Sequence, residues 1–328
     1  MFYNQVAGQE EIKTSLIKAI NKNQVSHCYI FEGPIGMGKY ELALIFAQSL
    51  FCENFTQNPC NECSNCIKIN TRNHPDLHII NNDEKTIKRE EIDELIESIN
   101  RKPYQASKKV YIIKNAHEMT TQAANTFLKT LEEPQGDSVI ILLTNNSNLL
   151  IPTIKSRCQT IKFRNTSKLT IRNYLKENYN TATDIADLAS EYSNGILNKA
   201  FNIIKGNDNI LEQRAEIIKL FDKIVNSDSE IIYELESYFE TNKDNIDLII
   251  EIMMIWIRDI IFIQSNMEDL VINKDFLGLA KNHATLMNNN SNINIIQQLQ
   301  NTSDNIKSNV NYKLAIDNML LKIQEVFK

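Results

Sequence analysis

Three glycines and a lysine have the spacing of a loop that binds the phosphates of a nucleotide. In GPIGMGKY, Gly33, Gly36, Gly38 and Lys39 follow the apolar run CYIF and precede a helical pattern, which is the context that this motif requires. Glycines let backbone N–H groups close on an anion, and a lysine supplies a charge for phosphate oxygens. Tyr40 departs from the motif, because serine or threonine at this position would place a hydroxyl on Mg²⁺.

A second departure lies in the strand that holds the metal in proteins that hydrolyse nucleotides. Such a strand ends in carboxylates for Mg²⁺ and for the attacking water. The candidate strand KKVYIIKNAHEMT ends instead in Lys114 and Asn115, and Glu118 comes later. The sequence therefore predicts no Mg²⁺ site and no hydrolysis here. It leaves two alternatives for the loop itself: no ATP or ADP bound, or a metal-free nucleotide site in which Lys114 contacts the phosphates.

Four cysteines form a cluster in CENFTQNPCNECSNC. Cys52, Cys60, Cys63 and Cys66 give four thiolates within a short segment, which suits a closed tetrahedral Zn²⁺ site of structural type. The alternative is a pair of disulfides, which a cytoplasmic setting disfavours. That setting is expected because the N-terminal sequence lacks the basic flank and apolar run of a secretory signal. Cys28, in an apolar run, is predicted to be a small apolar core residue.

The elements that would position these residues alternate between strand and helix in the first half of the chain. Short β-type runs (HCYIFEG, DLHII, KKVYIIKN, SVIILLTNN, QTIKF) are separated by helical patterns such as YELALIFAQSL, IKREEIDELIESI and TQAANTFLKTLEE. Such alternation predicts crossover units and a parallel sheet with helices on both faces. The fold class predicted for residues 1–165 is therefore α/β, with the cysteine cluster as an insert.

The rest of the chain is predicted to be helical. Gly195 and Gly206 delimit a small helical unit at 166–206, and 207–328 is predicted to form a separate all-α domain. The most apolar stretch, 246–264, is interrupted by charged residues and is predicted to be a buried core helix, so no membrane partner is expected. The net charge of −6 argues against a dominant DNA-binding surface.

The chain resembles the bacterial clamp-loader family of AAA+ proteins. The resemblance rests on the phosphate-loop motif, the four-cysteine insert, AANTFLKTLEEP at 123–134 and IKSRCQTIKF at 154–163, in this order. It covers residues 1 to about 205, beyond which only length and helicity agree. It implies a P-loop AAA+ domain at 1–165, a helical lid at 166–206, and a collar at 207–328 through which subunits assemble.

The resemblance also assigns roles to further residues. Ser156-Arg157-Cys158 matches the family motif whose arginine reaches across a subunit interface to the neighbour's ATP, so Arg157 is expected to be an arginine finger. Lys199 stands where the family has a basic lid residue that senses nucleotide. Thr144 and Asn145, at the end of a strand, occupy the family's sensor position.

The function implied is that of a non-hydrolysing subunit of the DNA polymerase III clamp loader. The missing carboxylates, and a length without a long extension, favour this type over the motor subunits gamma and tau. The implied partners are gamma/tau and delta subunits in a hetero-pentamer, with the sliding clamp and primed DNA reached through the assembly. Two alternatives are an active clamp-loader ATPase of gamma/tau type and a zinc-bearing adaptor of AAA+ fold in another process.

Overall fold

Five strands form one parallel sheet in the first half of the chain. They are Cys28–Glu32 (β1), Leu77–Ile80 (β2), Lys109–Ile113 (β3), Ser138–Thr144 (β4) and Gln159–Lys162 (β5). The strand order is β2-β3-β4-β1-β5, and every neighbouring pair is parallel. The computed structural model describes residues 1–80, 86–133, 136–207, 209–226, 231–308 and 310–326. The predicted parallel α/β sheet is confirmed, strand for strand.

The N-terminal half has α-helices in every connection between strands, as parallel pairing requires, with one further helix before β1 and one after β5. They are Glu10–Asn21 (α1), Lys39–Phe51 (α2), Ser64–Asn70 (α3), Arg89–Ile99 (α4), Thr121–Glu132 (α5), Pro152–Lys155 (α6) and Lys168–Tyr179 (α7). The C-terminal half continues with Thr183–Tyr192 (α8), Leu197–Ile204 (α9), Ile210–Asn226 (α10), Ile231–Thr241 (α11), Ile246–Gln264 (α12), Leu277–Leu286 (α13), Asn289–Lys307 (α14) and Tyr312–Glu325 (α15).

Alternate residues of each strand face opposite sides of the sheet, so the sheet has a hydrophobic core on each face. On β1, Tyr29 and Phe31 pack with the buried face of α2, while Cys28 and Ile30 pack with α4 and α5. All four of these β1 side chains are at most 1% exposed. Burial on both faces explains why the central strands β1, β3 and β4 read as largely apolar runs in the sequence.

Cys28 and Cys158 are joined by a disulfide in the structure, with their Cα atoms 4.7 Å apart. The two residues lie side by side because β1 and β5 are parallel neighbours, with Tyr29 opposite Gln159. Cys28 is fully buried, as predicted. The prediction that it is merely a small apolar residue is wrong, because nothing in the sequence spacing indicated its partner, 130 positions away.

The chain separates into two compact units. The first comprises Met1–Asn180 and Ser193–Phe201, and the second comprises Thr181–Tyr192 and Asn202–Lys328. Parts of the predicted lid, 166–206, fall in each of the two units. The predicted boundaries at 165/166 and 206/207 therefore stay a prediction. Within the predicted C-terminal domain, residues 208, 227–230, 309 and 327–328 lie outside the described residues.

The second unit is a bundle of helices around α12. Helix α12 contacts α10, α13 and α14, and α14 in turn contacts α15. Ten of its nineteen side chains are buried, including those of Met253, Trp256 and Ile260. The prediction that 246–264 is a core helix is confirmed. Across the described ranges, none of the helices combines the length and apolar character needed to cross a bilayer.

Candidate functional site

A cavity of about 380 Å³ opens where the glycine-rich loop leads from β1 into α2. It lies at the carboxyl edge of the parallel sheet, where ligands of such sheets bind. The loop turns through Gly36 and Gly38, whose φ angles of 86° and 80° favour glycine. The cavity is lined by Gln5, Val6, Ile35, Gly36, Gly38, Lys39, Tyr40, Glu41, Lys114, Asn115, Leu143, Thr144, Asn145, Leu197, Asn198 and Phe201.

Lys39, at the start of α2, turns back onto its own loop. Its Nζ donates to the carbonyl oxygen of Pro34 at 2.7 Å and also to that of Gly33. Burial lowers the pKa of Lys39 to about 8, and the nearby carboxylate of Glu41 partly opposes this shift. The ammonium group that would meet phosphate oxygens is thus already hydrogen-bonded by the loop.

Tyr40 and Lys114 contact each other across the cavity. The Lys114 Nζ lies 3.9 Å from the centroid of the Tyr40 ring, which is the geometry of a cation–π interaction. Burial raises the pKa of the Tyr40 phenol, so that it stays neutral and is no anionic ligand. The two predicted departures from a hydrolysing site therefore form one contact, which places a positive charge in the cavity.

Acidic residues are present near the cavity, but not at the predicted metal positions. Glu41 lines the cavity from the first turn of α2, a position that favours a carboxylate because of the helix dipole. The sequence reasoning missed it, although a negative residue in a first helical turn is a recognisable signal. Glu118 does not line the cavity, and its carboxylate lies 3.5 Å from His117 Nε2.

The end of β4 contributes the residues predicted as sensors. Thr144 and Asn145 both line the cavity. The Thr144 hydroxyl lies 3.2 Å from His117 Nδ1 and donates to the carbonyl oxygen of Asn146. Lys199 lies on α9 but is not among the lining residues, whereas Asn198 and Phe201 of the same helix are.

Arg157 lies just after α6 and does not line the cavity of its own chain. Its Nη2 contacts the Glu132 carboxylate at 2.5 Å, and its Nη1 donates to the carbonyl oxygen of Thr153 at 2.9 Å. The side chain is 32% exposed. The guanidinium is therefore held at the surface by Glu132 and Thr153 of its own chain.

The four clustered cysteines converge as predicted. Cys52, Cys60, Cys63 and Cys66 place their sulfur atoms within 4.8 Å of one another, and the Sγ atoms of Cys60 and Cys66 are 3.9 Å apart. Zinc–sulfur bonds of about 2.3 Å in a tetrahedron put sulfurs roughly 3.8 Å apart, so these residues fit a four-thiolate metal site.

Backbone donors support the sulfur atoms. The N–H groups of Cys60, Cys63 and Cys66 point at the sulfurs of Cys52, Cys60 and Cys63, at 3.2, 3.3 and 3.5 Å. Such N–H donors from Cys63 and Glu62 lower the pKa of the Cys60 thiol to about 6. They favour the thiolate form of Cys60, the form that a metal binds, whereas burial raises the pKa of the Cys52 and Cys66 thiols.

A parallel sheet of order β2-β3-β4-β1-β5, with a glycine-rich loop between β1 and α2, defines a P-loop protein of the AAA+ class. Sequence models of two families match the chain: "DNA polymerase III, delta subunit" at residues 8–167 and the C-terminal part of that subunit at 208–325. DNA polymerase III subunit delta' of Bacillus subtilis is 32% identical over 97% of this chain and 96% of its own. The chain belongs to this delta' family.

More distant relatives match in part. DNA polymerase III subunit gamma/tau of Mycoplasma pneumoniae is 32% identical over 65% of this chain, which spans about a third (32%) of that protein. The solved structure of a DNA polymerase III gamma-subunit-related protein from Thermotoga maritima is 19% identical, with a TM-score of 0.46, over 96% of this chain and 99% of that one.

Proposed function

We propose that the chain acts as the delta' subunit of a bacterial DNA polymerase III clamp loader and hydrolyses no nucleotide in its own cavity. The observation that carries this proposal is the Lys114 ammonium over the Tyr40 ring. A hydrolysing P-loop protein has a hydroxyl and carboxylates for Mg²⁺ at these positions. An ammonium group cannot coordinate a divalent cation and repels it.

Arg157 then serves a neighbouring subunit. Its placement outside its own cavity and its partial exposure support a role in trans. A guanidinium suits this role because it is always charged and presents planar, forked donors to γ-phosphate oxygens. An arginine finger contributes roughly 10³- to 10⁵-fold to the rate in other nucleotide-hydrolysing systems.

The proposed assembly is a hetero-pentamer with gamma/tau and delta subunits, located in the cytoplasm. Residues 207–328 would supply the collar, and residues 166–206, including Lys199, would supply the lid. The sliding clamp and primed DNA would be reached through the assembly. Two relatives are named as the delta' and gamma/tau subunits of DNA polymerase III, which supports the proposal that this chain belongs to such a complex.

The metal proposed for the cysteine cluster is zinc, in a structural role. Four thiolates leave no open coordination position for a substrate or water. The converging sulfurs and their backbone donors support this choice. Zinc would tie the end of α2 to the start of α3, since Cys52 follows the one and Cys63 precedes the other.

The decisive experiment uses the loader reconstituted from this chain and its gamma/tau and delta partners. Arg157→Ala is expected to lower clamp- and DNA-dependent ATP turnover at the neighbouring subunit's site by roughly 10³-fold or more, while the complex still assembles on gel filtration. Arg157→Lys should restore little, because lysine lacks the forked donors. Arg164→Ala is the matched control, since it removes an exposed charge seven residues away.

Three results would overturn the proposal. Unchanged turnover with Arg157→Ala would remove the role of Arg157 in trans. Magnesium-dependent ATP hydrolysis by the isolated chain would favour a motor subunit of gamma/tau type, and failure to assemble with loader subunits would favour an adaptor in another process.

A further inference from the structure

Hydrogen bonds to a buried carboxylate hold the backbone of the loop between α4 and β3. Asp76 is fully buried, and its two oxygens accept three successive backbone N–H groups, from Tyr104 at 2.6 Å, Gln105 at 2.7 Å and Ala106 at 2.8 Å. Hydrogen bonds to a charged acceptor are among the strong ones. These donors outweigh burial and lower the pKa of Asp76, so the carboxylate stays charged and the loop backbone is held in place.

The side chain of Tyr104 projects outward from this rigid backbone. It is 87% exposed, more than any other large hydrophobic side chain in the described parts of the chain. A large ring held out in water on a fixed backbone loses little conformational entropy on binding, because it has only two side-chain torsions. Such rings are the residues that carry binding energy at interfaces.

The segment that carries Tyr104 is basic. Residues 98–117 contain no Asp or Glu, and Arg101, Lys102 and Lys108 flank Tyr104 in this segment. The side-chain amide of Gln105 donates hydrogen bonds to the Ser64 hydroxyl and to the Asn65 side-chain oxygen, both on α3. The Lys68 ammonium donates to the Gln105 side-chain oxygen. Helix α3 thus adds another lysine to the same surface.

The nearest acidic partner neutralises little of this charge. The closest approach of Arg101 to a carboxylate is 3.7 Å, to Glu97, and both side chains are at least three-quarters exposed (77% and 75%). Exposed pairs of this kind are worth little and are screened by salt. The basic side chains of this segment therefore keep their charge available for a partner, although the net charge of the chain is negative.

We propose that this face, defined by Lys68, Arg101, Lys102, Tyr104 and Lys108, binds single-stranded nucleic acid. Lysine and arginine would neutralise phosphates, and the Tyr104 ring would stack on an unpaired base. A duplex offers no exposed base face to one projecting ring, and an acidic peptide would use the charges without needing the ring. The inference goes beyond the proposed function, in which DNA is reached only through the assembly.

The test uses the whole zinc-loaded chain and a fluorescein-labelled oligo(dT) of twelve nucleotides. Binding of the oligonucleotide is measured by fluorescence anisotropy at low salt. Tyr104→Ala is expected to weaken binding about tenfold, within the range for one stacked base, and Tyr104→Phe should retain it. Arg101→Ala combined with Lys102→Ala should weaken binding and reduce the slope of log K against log salt concentration by about 1.4. Lys307→Ala with Lys322→Ala removes the same charge from the helical unit and should change nothing.

Three outcomes would overturn the proposal. The first is that the oligonucleotide shows no saturable binding at low salt. The second is that Tyr104→Ala binds it as tightly as the unmodified chain does. The third is that poly-glutamate displaces the labelled oligonucleotide as well as unlabelled oligo(dT) does, which would assign the face to an acidic peptide. Zinc content and thermal midpoint, measured for each variant, separate a lost contact from a lost fold. None of these results bears on Arg157, whose ATPase assay tests the proposed function separately.

Discussion

The Tyr40 ring and the Lys114 ammonium stabilise each other in a cavity that would otherwise be unfavourable for both. Lys114 shares the cavity with Lys39 and the N-terminal end of α2, both of which disfavour a further positive charge. The negative face of an aromatic ring offsets this by about 0.5–2 kcal/mol. Replacing either residue alone therefore leaves the other without its partner, and only a combined change can recreate a metal site.

The combined variant Tyr40→Thr with Lys114→Asp is expected to bind nucleotide more tightly when Mg²⁺ is present. It restores the hydroxyl and one carboxylate that a P-loop protein uses for the metal. We expect the unmodified chain to show the same affinity, if any, in Mg²⁺ and in EDTA, as measured with a fluorescent ATP analogue. Lys114→Met with Tyr40 retained is the control, since it removes the charge without adding a ligand. Binding by the unmodified chain that strengthens with Mg²⁺ would contradict the proposed absence of a metal site.

In the proposed function, the ion pair between Arg157 and Glu132 must break before the guanidinium can reach a neighbouring subunit. The pair is partly exposed, 32% for Arg157 and 47% for Glu132, so it contributes at most about 1 kcal/mol. We expect Glu132→Gln to leave ATP turnover of the reconstituted loader unchanged or raised by up to about fivefold, the factor that corresponds to this energy. A loss as large as that expected for Arg157→Ala would show instead that Glu132 is required to orient the arginine.

The sequence predicted the departures at Tyr40, Lys114 and Asn115 because a motif assigns a role to each position. It could not predict that the ring and the ammonium lie 3.9 Å apart, since that contact depends on side-chain torsions and on how β3 and α2 meet in space. Glu41 was missed because its position follows from helix electrostatics rather than from the phosphate-loop motif.

Helix α3 depends on the cysteine cluster for its start. Cys63 is its N-cap residue and accepts from the N–H of Cys66, and a helix of seven residues has little stability of its own. Metal bound by the four sulfurs would therefore hold α3 against the end of α2. The same helix carries the residues that contact Gln105, so the cluster also supports the neighbouring loop.

Cys63→Ser is expected to reduce bound zinc from one ion per chain to well below one. Serine is a poor zinc ligand at neutral pH, since the site needs thiolates. Zinc would be measured by release to a colorimetric chelator, and the thermal midpoint should fall with the metal content. Cys28→Ala is the control for zinc content, because Cys28 is bonded to Cys158, outside the cluster. Full zinc content in Cys63→Ser would contradict a four-thiolate site.

Elements with strong local signals were predicted and the connections between them were not. Strands β1, β3 and β4 are apolar, buried runs, and α5 begins at Thr121, after Thr120, whose hydroxyl caps it. The path of the 104–106 loop depends on Asp76, which lies 28 to 30 positions away in the sequence. A carboxylate that binds so distant a segment leaves no local pattern to read.

The two compact units can be followed separately because their spectroscopic groups are different. The chain has a single tryptophan, and Trp256 is buried in the second unit. The cysteine cluster belongs to the first unit, where bound cobalt would report its unfolding by visible absorption. The sequence indicated a helical C-terminal half, but it could not show which helices surround α12, since every one of them has an amphipathic pattern.

The second unit is expected to lose stability as the pH falls below about 6.5. In this unit Trp256 Nε1 donates to His283 Nδ1 at 3.2 Å, and the other ring nitrogen lies 2.9 Å from the Asp222 carboxylate, an arrangement that needs neutral histidine. Burial lowers the pKa of His283, and Asp222 only partly opposes this. As the pH falls, the unfolded chain therefore takes up the proton first. The stability due to neutral His283 is intact above about pH 6.5 and decreases below it, by at most about 1.4 kcal/mol per pH unit.

Urea unfolding followed by Trp256 fluorescence at pH 7.5 and 5.5 should show this loss of stability, and His283→Gln should show a smaller loss. A Trp256 transition with the same pH dependence in both proteins would mean that other groups control the effect.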